Sequence, residues 1–137
     1  MRRHVNECKL FSIPTFNDDR GMLSVLEGEG FVPFVIRRVF YIYGLKGNFE
    51  RGDHAHRKTE QFIVCLNGSL SVYLNDGKNA SEFILDNPST GLYIPPLIWS
   101  RQKASGPESI YAVLASGHYD KSETIYDRHE FEVITNG

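Results

Sequence analysis

Residues Arg51 to Gly68 read RGDHAHRKTEQFIVCLNG. His54 and His56 stand two apart and lead into the apolar run Phe62, Ile63, Val64, Cys65, Leu66. On a strand, a period of two places both imidazoles on one face and turns Ala55 to the other. Asn67-Gly68 closes the run and Ser69 to Leu74 follows. Asn-Gly tolerates the positive φ angles of a tight turn, so the expectation is a β-hairpin. The histidine pair is therefore expected on a strand of an antiparallel sheet, aimed at one side.

Strand signals continue in both directions from this stretch. Upstream, residues 5–13 form a candidate strand ended by Pro14. The turn cluster Asn17-Asp18-Asp19-Arg20-Gly21 precedes a second short strand, Met22 to Leu26. Val35 to Tyr43 is strongly β, with Arg37, Val39, Tyr41 and Tyr43 on one face and Ile36, Arg38, Phe40 and Ile42 on the other. Alternation alone leaves open which face points inward. Downstream come Ser69 to Leu74, the turn Asn75-Asp76-Gly77, Ala80 to Leu85, Leu92 to Ile94, Leu97 to Ser100 and Ile110 to Ala115. A short helix near Ser122 to Asp127 is expected, capped by Asp120 or Ser122. Short strands at even spacing, with turns between them and no long helical period, describe an all-β sandwich or barrel. With no linker or repeat, one domain accounts for residues 1–137.

The composition narrows the function classes. A chain of 137 residues with 41% hydrophobic residues can bury a core without staples. A formal net charge of -2 gives no general attraction to nucleic acid or to an anionic membrane, and neither partner is expected. No segment approaches the roughly 20 apolar residues needed to cross a bilayer, and the N-terminus lacks an apolar stretch of signal-peptide length. Cys65 lies within the apolar run, so no disulfide and a cytoplasmic setting are expected.

Gly47, His54, His56, Glu60, Gln61 and Gly68 resemble the first motif of the cupins. That resemblance implies a double-stranded β-helix, the jelly-roll barrel. Many cupins bind a metal through the His-x-His pair, an acidic residue and a histidine from a second motif. Here the second motif falls on Gly91 to Ser100, GLYIPPLIWS, without a histidine; His4, His118 and His129 all lie outside it. His54, His56 and Glu60 alone make a thin ligand set for a first-row metal, so no metal is expected. Unligated imidazoles can instead exchange protons near neutral pH, as a general acid or base must.

The phrases RRVFYIYG, RGDHAHRKTEQFIVCLNGS, GLYIPPLIW and VLASGHYD, with DDRGML as a weaker match, are more specific. In this order and at these separations they resemble the sugar 3,4-ketoisomerase family. The resemblance implies a homodimer that needs no cofactor. It would move the ketone of dTDP-4-keto-6-deoxyglucose from C4 to C3, for bacterial surface polysaccharides such as O-antigen. Carried over by position, His54 and His56 are the acid/base pair, and Tyr41, with Tyr43 as second choice, is the catalytic tyrosine of the preceding strand; Tyr41 or an arginine would donate to the charge that develops on oxygen. Arg51, Arg20, Gln61, Ser100 and Arg101 are assigned to the substrate, and Trp99 is open between base stacking and core packing. Arg37, Arg38, Arg57 and Lys58 join Arg51 and Arg101 as candidate diphosphate ligands, since guanidinium groups grip phosphate in a bidentate fork. The position after the tryptophan, often histidine or arginine in that family, is Ser100 here. This leaves the galacto or gluco configuration of the product open. The alternatives are a 3,5-epimerase of the same substrate, a metal-binding dioxygenase-like cupin and a non-catalytic sugar-nucleotide binding domain.

Overall fold

The computed structural model describes residues 2–136. Twelve strands occur among these residues: β1 Lys9–Ser12, β2 Thr15–Asp18, β3 Gly21–Ser24, β4 Arg38–Ile42, β5 Glu50–His56, β6 Gln61–Asn67, β7 Leu70–Asn75, β8 Ala80–Leu85, β9 Thr90–Ile94, β10 Trp99–Ala104, β11 Ile110–Ala115 and β12 Thr124–Ile125. One helix, α1 Arg128–Asn136, follows. Two five-stranded sheets face each other, ordered β1-β9-β6-β11-β4 and β12-β5-β10-β7-β8. β4 pairs with β11, β5 with β10, β6 with β9 and β7 with β8, always antiparallel. A long four-by-four hairpin has thus been rolled into a barrel, the expected jelly-roll double-stranded β-helix. Hairpin β2–β3 stands apart as its own two-stranded sheet.

The apolar run of β6 explains much of this arrangement. Ile63 and Cys65 point into the barrel, against Leu70, Val72, Leu92 and Ile94. Phe62 and Val64 point outward beneath an N-terminal cover of Ile13, Val32 and Phe34. A strand buried on both faces loses the polar alternation of a half-exposed one. Phe62 also packs with Phe11 and Phe31, ring centroids 6.2 and 6.0 Å away.

Several boundaries differ from the sequence reading. Asn67-Gly68 does not close a hairpin. Both edges of β6 are already taken by β9 and β11, so the chain must cross to the other sheet, where β7 lies between β10 and β8. Gly68 serves that crossing with φ +76°, and a Cβ there would lie 2.5 Å from Ser109 Oγ. For the same reason the histidines do not share a strand with the apolar run: β5 and β6 belong to opposite sheets. Residues 5–7 form a 3-10 turn before β1. The second short strand pairs with the unforeseen β2, and the 35–43 strand shortens to β4. Asp120 does cap, accepting from the Ser122 backbone, but it caps a 3-10 turn at Lys121–Glu123, with the true helix later.

One irregularity in β5 positions the site. His54 lies opposite Ser100, but Gly52 lies opposite Arg101, leaving Asp53 as an extra residue. This β-bulge uses φ +103° at Gly52 and +58° at Asp53, and a bulge of this kind re-aims the side chains on either side of it. A Cβ on Gly52 would sit 2.8 Å from the Ser100 carbonyl oxygen. Gly52→Ala is therefore expected to destabilise the fold by about 1–3 kcal/mol, through backbone strain and overpacking. Urea unfolding checks this, and an unchanged midpoint would show that the bulge is not constrained.

Candidate active site

The bulge changes the phase of β5. Arg51, three residues before His54, would face away from it on a regular strand. With one residue bulged, Arg51, His54 and His56 all line one interior cavity of about 390 Å³, together with Arg38, Phe40 and Gln61. An adjoining cavity of about 250 Å³ shares Phe40, Arg51, His54 and Gln61 and adds Gln102 and Tyr111. Elsewhere the barrel is filled by apolar side chains, Leu70, Val72, Leu74, Leu85 and Leu92 among them. The two imidazoles meet edge to face, centroids 5.1 Å apart. Tyr126 packs 5.9 Å from His54.

His56 is held at both ring nitrogens. Its Nδ1 lies 3.0 Å from Glu123 Oε1, and its Nε2 lies 3.2 Å from Gln61 Nε2. Glu123 also accepts from the backbone N–H of Lys58 and Thr59 and from the Thr59 hydroxyl, at 2.9, 3.2 and 2.6 Å. Burial alone would raise this carboxyl, but the Lys58 N–H, the Thr59 hydroxyl and His56 hold it below the usual carboxylate range. Burial lowers the His56 pKa despite the pull of Glu123, and His54 and Arg38 push it the same way. A neutral imidazole beside a carboxylate donates its Nδ1–H to it. Nε2 is then the acceptor, which the Gln61 amide addresses. This is the tautomer a general base requires.

Of the residues singled out in the sequence, His54, His56, Arg51 and Gln61 come together around the cavity. Ser100 is buried beside His54, and its hydroxyl accepts from Gln102 Nε2 at 3.1 Å. Tyr41 borders the adjoining cavity, but its side chain and the other candidates are placed elsewhere. Tyr41 and Tyr43 lie on the outer face of the sheet, 64% and 68% exposed, and stack on each other. The even face, with Arg38 and Phe40, is the inward one. Trp99 packs beneath the helix against Phe131 and Ala55, so core packing is its role. Arg101 lies over Tyr73 and pairs with Asp53, away from the histidines. Arg20 sits at the β2–β3 turn, paired with Asp18. Among the other cations, Arg37 donates to the Ser116 carbonyl and Arg57 pairs with Glu130. Glu60 accepts from Tyr93 and is not beside the histidine pair. Among the described residues no group of three or more His, Cys, Asp or Glu side chains converges as a metal set.

Glu123 and Tyr111 were not anticipated. Glu123 is 67 residues from His56, and no local pattern marks it. Burial pushes the Tyr111 phenol up to about 12, against the opposing pull of Arg51.

The family model described as FdtA: WxcM-like, C-terminal, matches residues 6–136. A TDP-4-oxo-6-deoxy-alpha-D-glucose-3,4-oxoisomerase of Aneurinibacillus thermoaerophilus is 40% identical over 126 residues, covering 92% of this chain and 91% of that protein. The crystal structure of a 3,4-ketoisomerase from Helicobacter canadensis superposes with a TM-score of 0.91 at 37% identity, covering 96% of this chain and 98% of the other. A histidine-to-asparagine variant of the 3,4-ketoisomerase QdtA from Thermoanaerobacterium thermosaccharolyticum, in complex with TDP-4-keto-6-deoxyglucose, superposes at 0.92 with 31% identity, over 97% and 96% of the two chains.

The His56–Glu123 pair has a consequence for stability. An unfolded histidine titrates near 6.5, whereas folded His56 resists protonation. Between its lowered folded value and 6.5 the unfolded state binds more protons, so stability rises with pH there and is lost on acidification. Glu123, held below 4.5, acts in the same direction at lower pH. Stability measured by urea unfolding is expected to fall as pH drops below 6.5 and to fall again below 4.5. His56→Asn should flatten the upper step, and a wild-type-like profile in that variant would refute the assignment.

Proposed function

The chain belongs to the FdtA, WxcM-like family, and from that premise we propose that it is a nucleotide-sugar 3,4-ketoisomerase acting on TDP-4-keto-6-deoxyglucose. One observation carries the mechanism: the interior cavity presents two histidines on one strand face, one of them fixed by a buried carboxylate as a neutral base. The relative with a histidine-to-asparagine change that holds TDP-4-keto-6-deoxyglucose supports a histidine role.

The reaction needs two proton exchanges at carbon and two at oxygen. A base removes the C3 proton, the electron pair becomes the C3=C4 bond, and the C4 carbonyl electrons move onto O4. A neutral base takes the O3 proton and passes it to O4, which leaves the charge on O3. That charge collapses to the C3 ketone as C4 takes up the proton first removed from C3. His54 fronts both parts of the cavity, and among the described residues no protein hydrogen bond holds its ring. It is assigned the transfer between C3 and C4. His56, neutral and anchored by Glu123, is assigned the exchange between O3 and O4. Positioned groups of this kind contribute about 10²–10⁴ each. Arg51, at the junction of both cavities, is the diphosphate ligand of choice, since no carboxylate among the described residues pairs with it.

The protein is further read as a cytoplasmic homodimer of single-domain chains, its two cysteines free and buried. Hairpin β2–β3 exposes Phe16, Met22 and Leu23, at 65%, 71% and 59%. Large apolar side chains exposed together on one arm are the mark of an interface. Arg20 lines a surface depression with these residues that shares no residue with the histidine cavity. It can therefore reach substrate only from a partner copy. Light scattering is expected to show a dimer that Phe16→Asp with Leu23→Asp dissociates, and a monomeric wild type would remove both the dimer and the role for Arg20.

Chelator-treated protein is expected to convert TDP-4-keto-6-deoxyglucose to a 3-keto product, followed by NMR, with the C4 configuration read from the same spectra. His54→Asn should lose about 10²–10⁴ in rate, and the His54→Asn, His56→Asn double variant should make no product. Tyr41→Phe should retain activity, as its outward position requires. Conversion only after metal is added would replace this reading with a metal-dependent one, and binding without conversion would leave a sugar-nucleotide binding domain.

A further inference from the structure

With the Tyr41 side chain on the outer face of the sheet, an arginine is left of the two kinds of donor that the sequence offers for the negative charge of the reaction. Arg38 occupies the inward face in its stead. It lines the same cavity as His54 and His56, and its guanidinium lies over the rings of Phe40 and Tyr119, 5.3 and 5.8 Å from their centroids. Its Nε is fully buried and has no hydrogen-bond partner among the described residues. The other arginines, Arg51 apart, each have a carboxylate or carbonyl partner: Arg2 with Asp76, Arg57 with Glu130, Arg101 with Asp53, for example. The carboxylates nearest in the cavity wall are committed, Glu123 to His56 and Thr59, and Asp120 to Ser122.

A guanidinium cannot shed its proton, and a charged N–H buried without an acceptor is costly. Such a group is retained where an anion completes it. Aromatic faces hold the cation in place without occupying its N–H donors, so those donors stay available to a ligand. Register fixes where that ligand must be. Arg38 lies opposite Ala115, and Ala115 lies opposite Gln61, whose amide touches His56 Nε2. Arg38 therefore projects over the atoms where protons are exchanged. Its field is felt there, since it lowers the His56 pKa.

We propose that Arg38 is a catalytic electrophile that binds the sugar oxygens at C3 and C4 and stabilises the enediolate as its charge develops. A fixed cation aimed at charge that exists only in the transition state accelerates the chemical step and does not merely tighten binding. This rests on the ketoisomerase reading and assigns to Arg38 a role distinct from diphosphate binding.

The test compares wild type with Arg38→Met and Arg38→Lys in three measurements: steady-state isomerisation, exchange of the C3 proton for deuterium in D2O, and calorimetric affinity for TDP alone. Arg38→Met should lose about 10²–10³ in kcat, with C3 exchange falling in step and TDP affinity unchanged. Arg38→Lys should recover part of both rates. A loss confined to KM and TDP affinity would make Arg38 a diphosphate ligand and overturn the assignment. So would persistent C3 exchange with isomerisation lost, because the enediolate would then form without Arg38. If Arg38→Met fails to fold, Arg38→Gln, neutral but still polar, is read the same way. Wild type run alongside separates the two readings: no turnover by wild type overturns the ketoisomerase function, whereas a variant as fast as wild type overturns only the role of Arg38.

Discussion

The buried contact between His56 and Glu123 is the joint on which the site depends. It links β5 to the 3-10 turn at Lys121–Glu123, and through Lys58 and Thr59 to the segment that crosses from one sheet to the other. Backbone bonds run alongside it: Arg57 donates to the Glu123 carbonyl and Leu97 to that of His56. The C-terminal segment is thereby part of the active-site wall, with β12 paired to His56 and Ala55 and α1 packed on Trp99. A buried charge of this kind contributes little net stability while intact, but losing one partner strands the other. The joint therefore sets orientation and tautomer more than it sets stability.

Around that joint, β5 combines two phases. From His54 to His56 it keeps the period of two that turns both imidazoles inward and sends Ala55 out beneath Leu97 and Trp99. Between Arg51 and His54 the bulge breaks the period, so that a residue on the wrong parity also faces the cavity. The bulge relies on a glycine at +103° and an aspartate at +58°. Both residue types reach positive φ at low cost. Arg-Gly-Asp-His-Ala-His can be understood physically as cation, bulge, and imidazole pair.

This also explains which parts of the site could be read from the sequence. The jelly-roll topology came from the resemblance, whereas the all-β sandwich or barrel and the histidine pair were legible because each rests on short-range regularity, namely strand alternation, turn residues and two-residue spacing. The inward face of β4 was not, since both faces of Val35 to Tyr43 mix an arginine with aromatic or aliphatic residues. The choice was made by the barrel core, against which Phe40 packs, while Tyr41 on the other face stays in solvent. For a related reason Trp99 takes core packing, one of its two readings: helix α1 covers one face of β10, and Ser100, on the other face, is the residue turned toward His54. Asn67-Gly68 carried a true local preference that the saturated edges of β6 overrode. Glu123 was beyond reach because its partner lies 67 residues away in the chain.

The charge balance has the same local character. A chain with net charge -2 offers an anion no general attraction, but the field inside a low-dielectric cavity is set by the few charges that face it. Arg38 and Arg51 both face this cavity, without carboxylate partners among the described residues. Glu123 is spent on His56 and three donors of the 58–59 segment. Ser100, beside His54, adds room and no charge. The cavity thus holds two guanidinium groups that no carboxylate pairs directly, because Glu123 and Asp120 take their hydrogen bonds from other donors, and the apolar rings of Phe40 and Tyr119 keep one of the cations uncommitted. Substituting a carboxylate for either ring would pair Arg38 internally, stabilise the empty cavity and remove the incentive to bind an anion there.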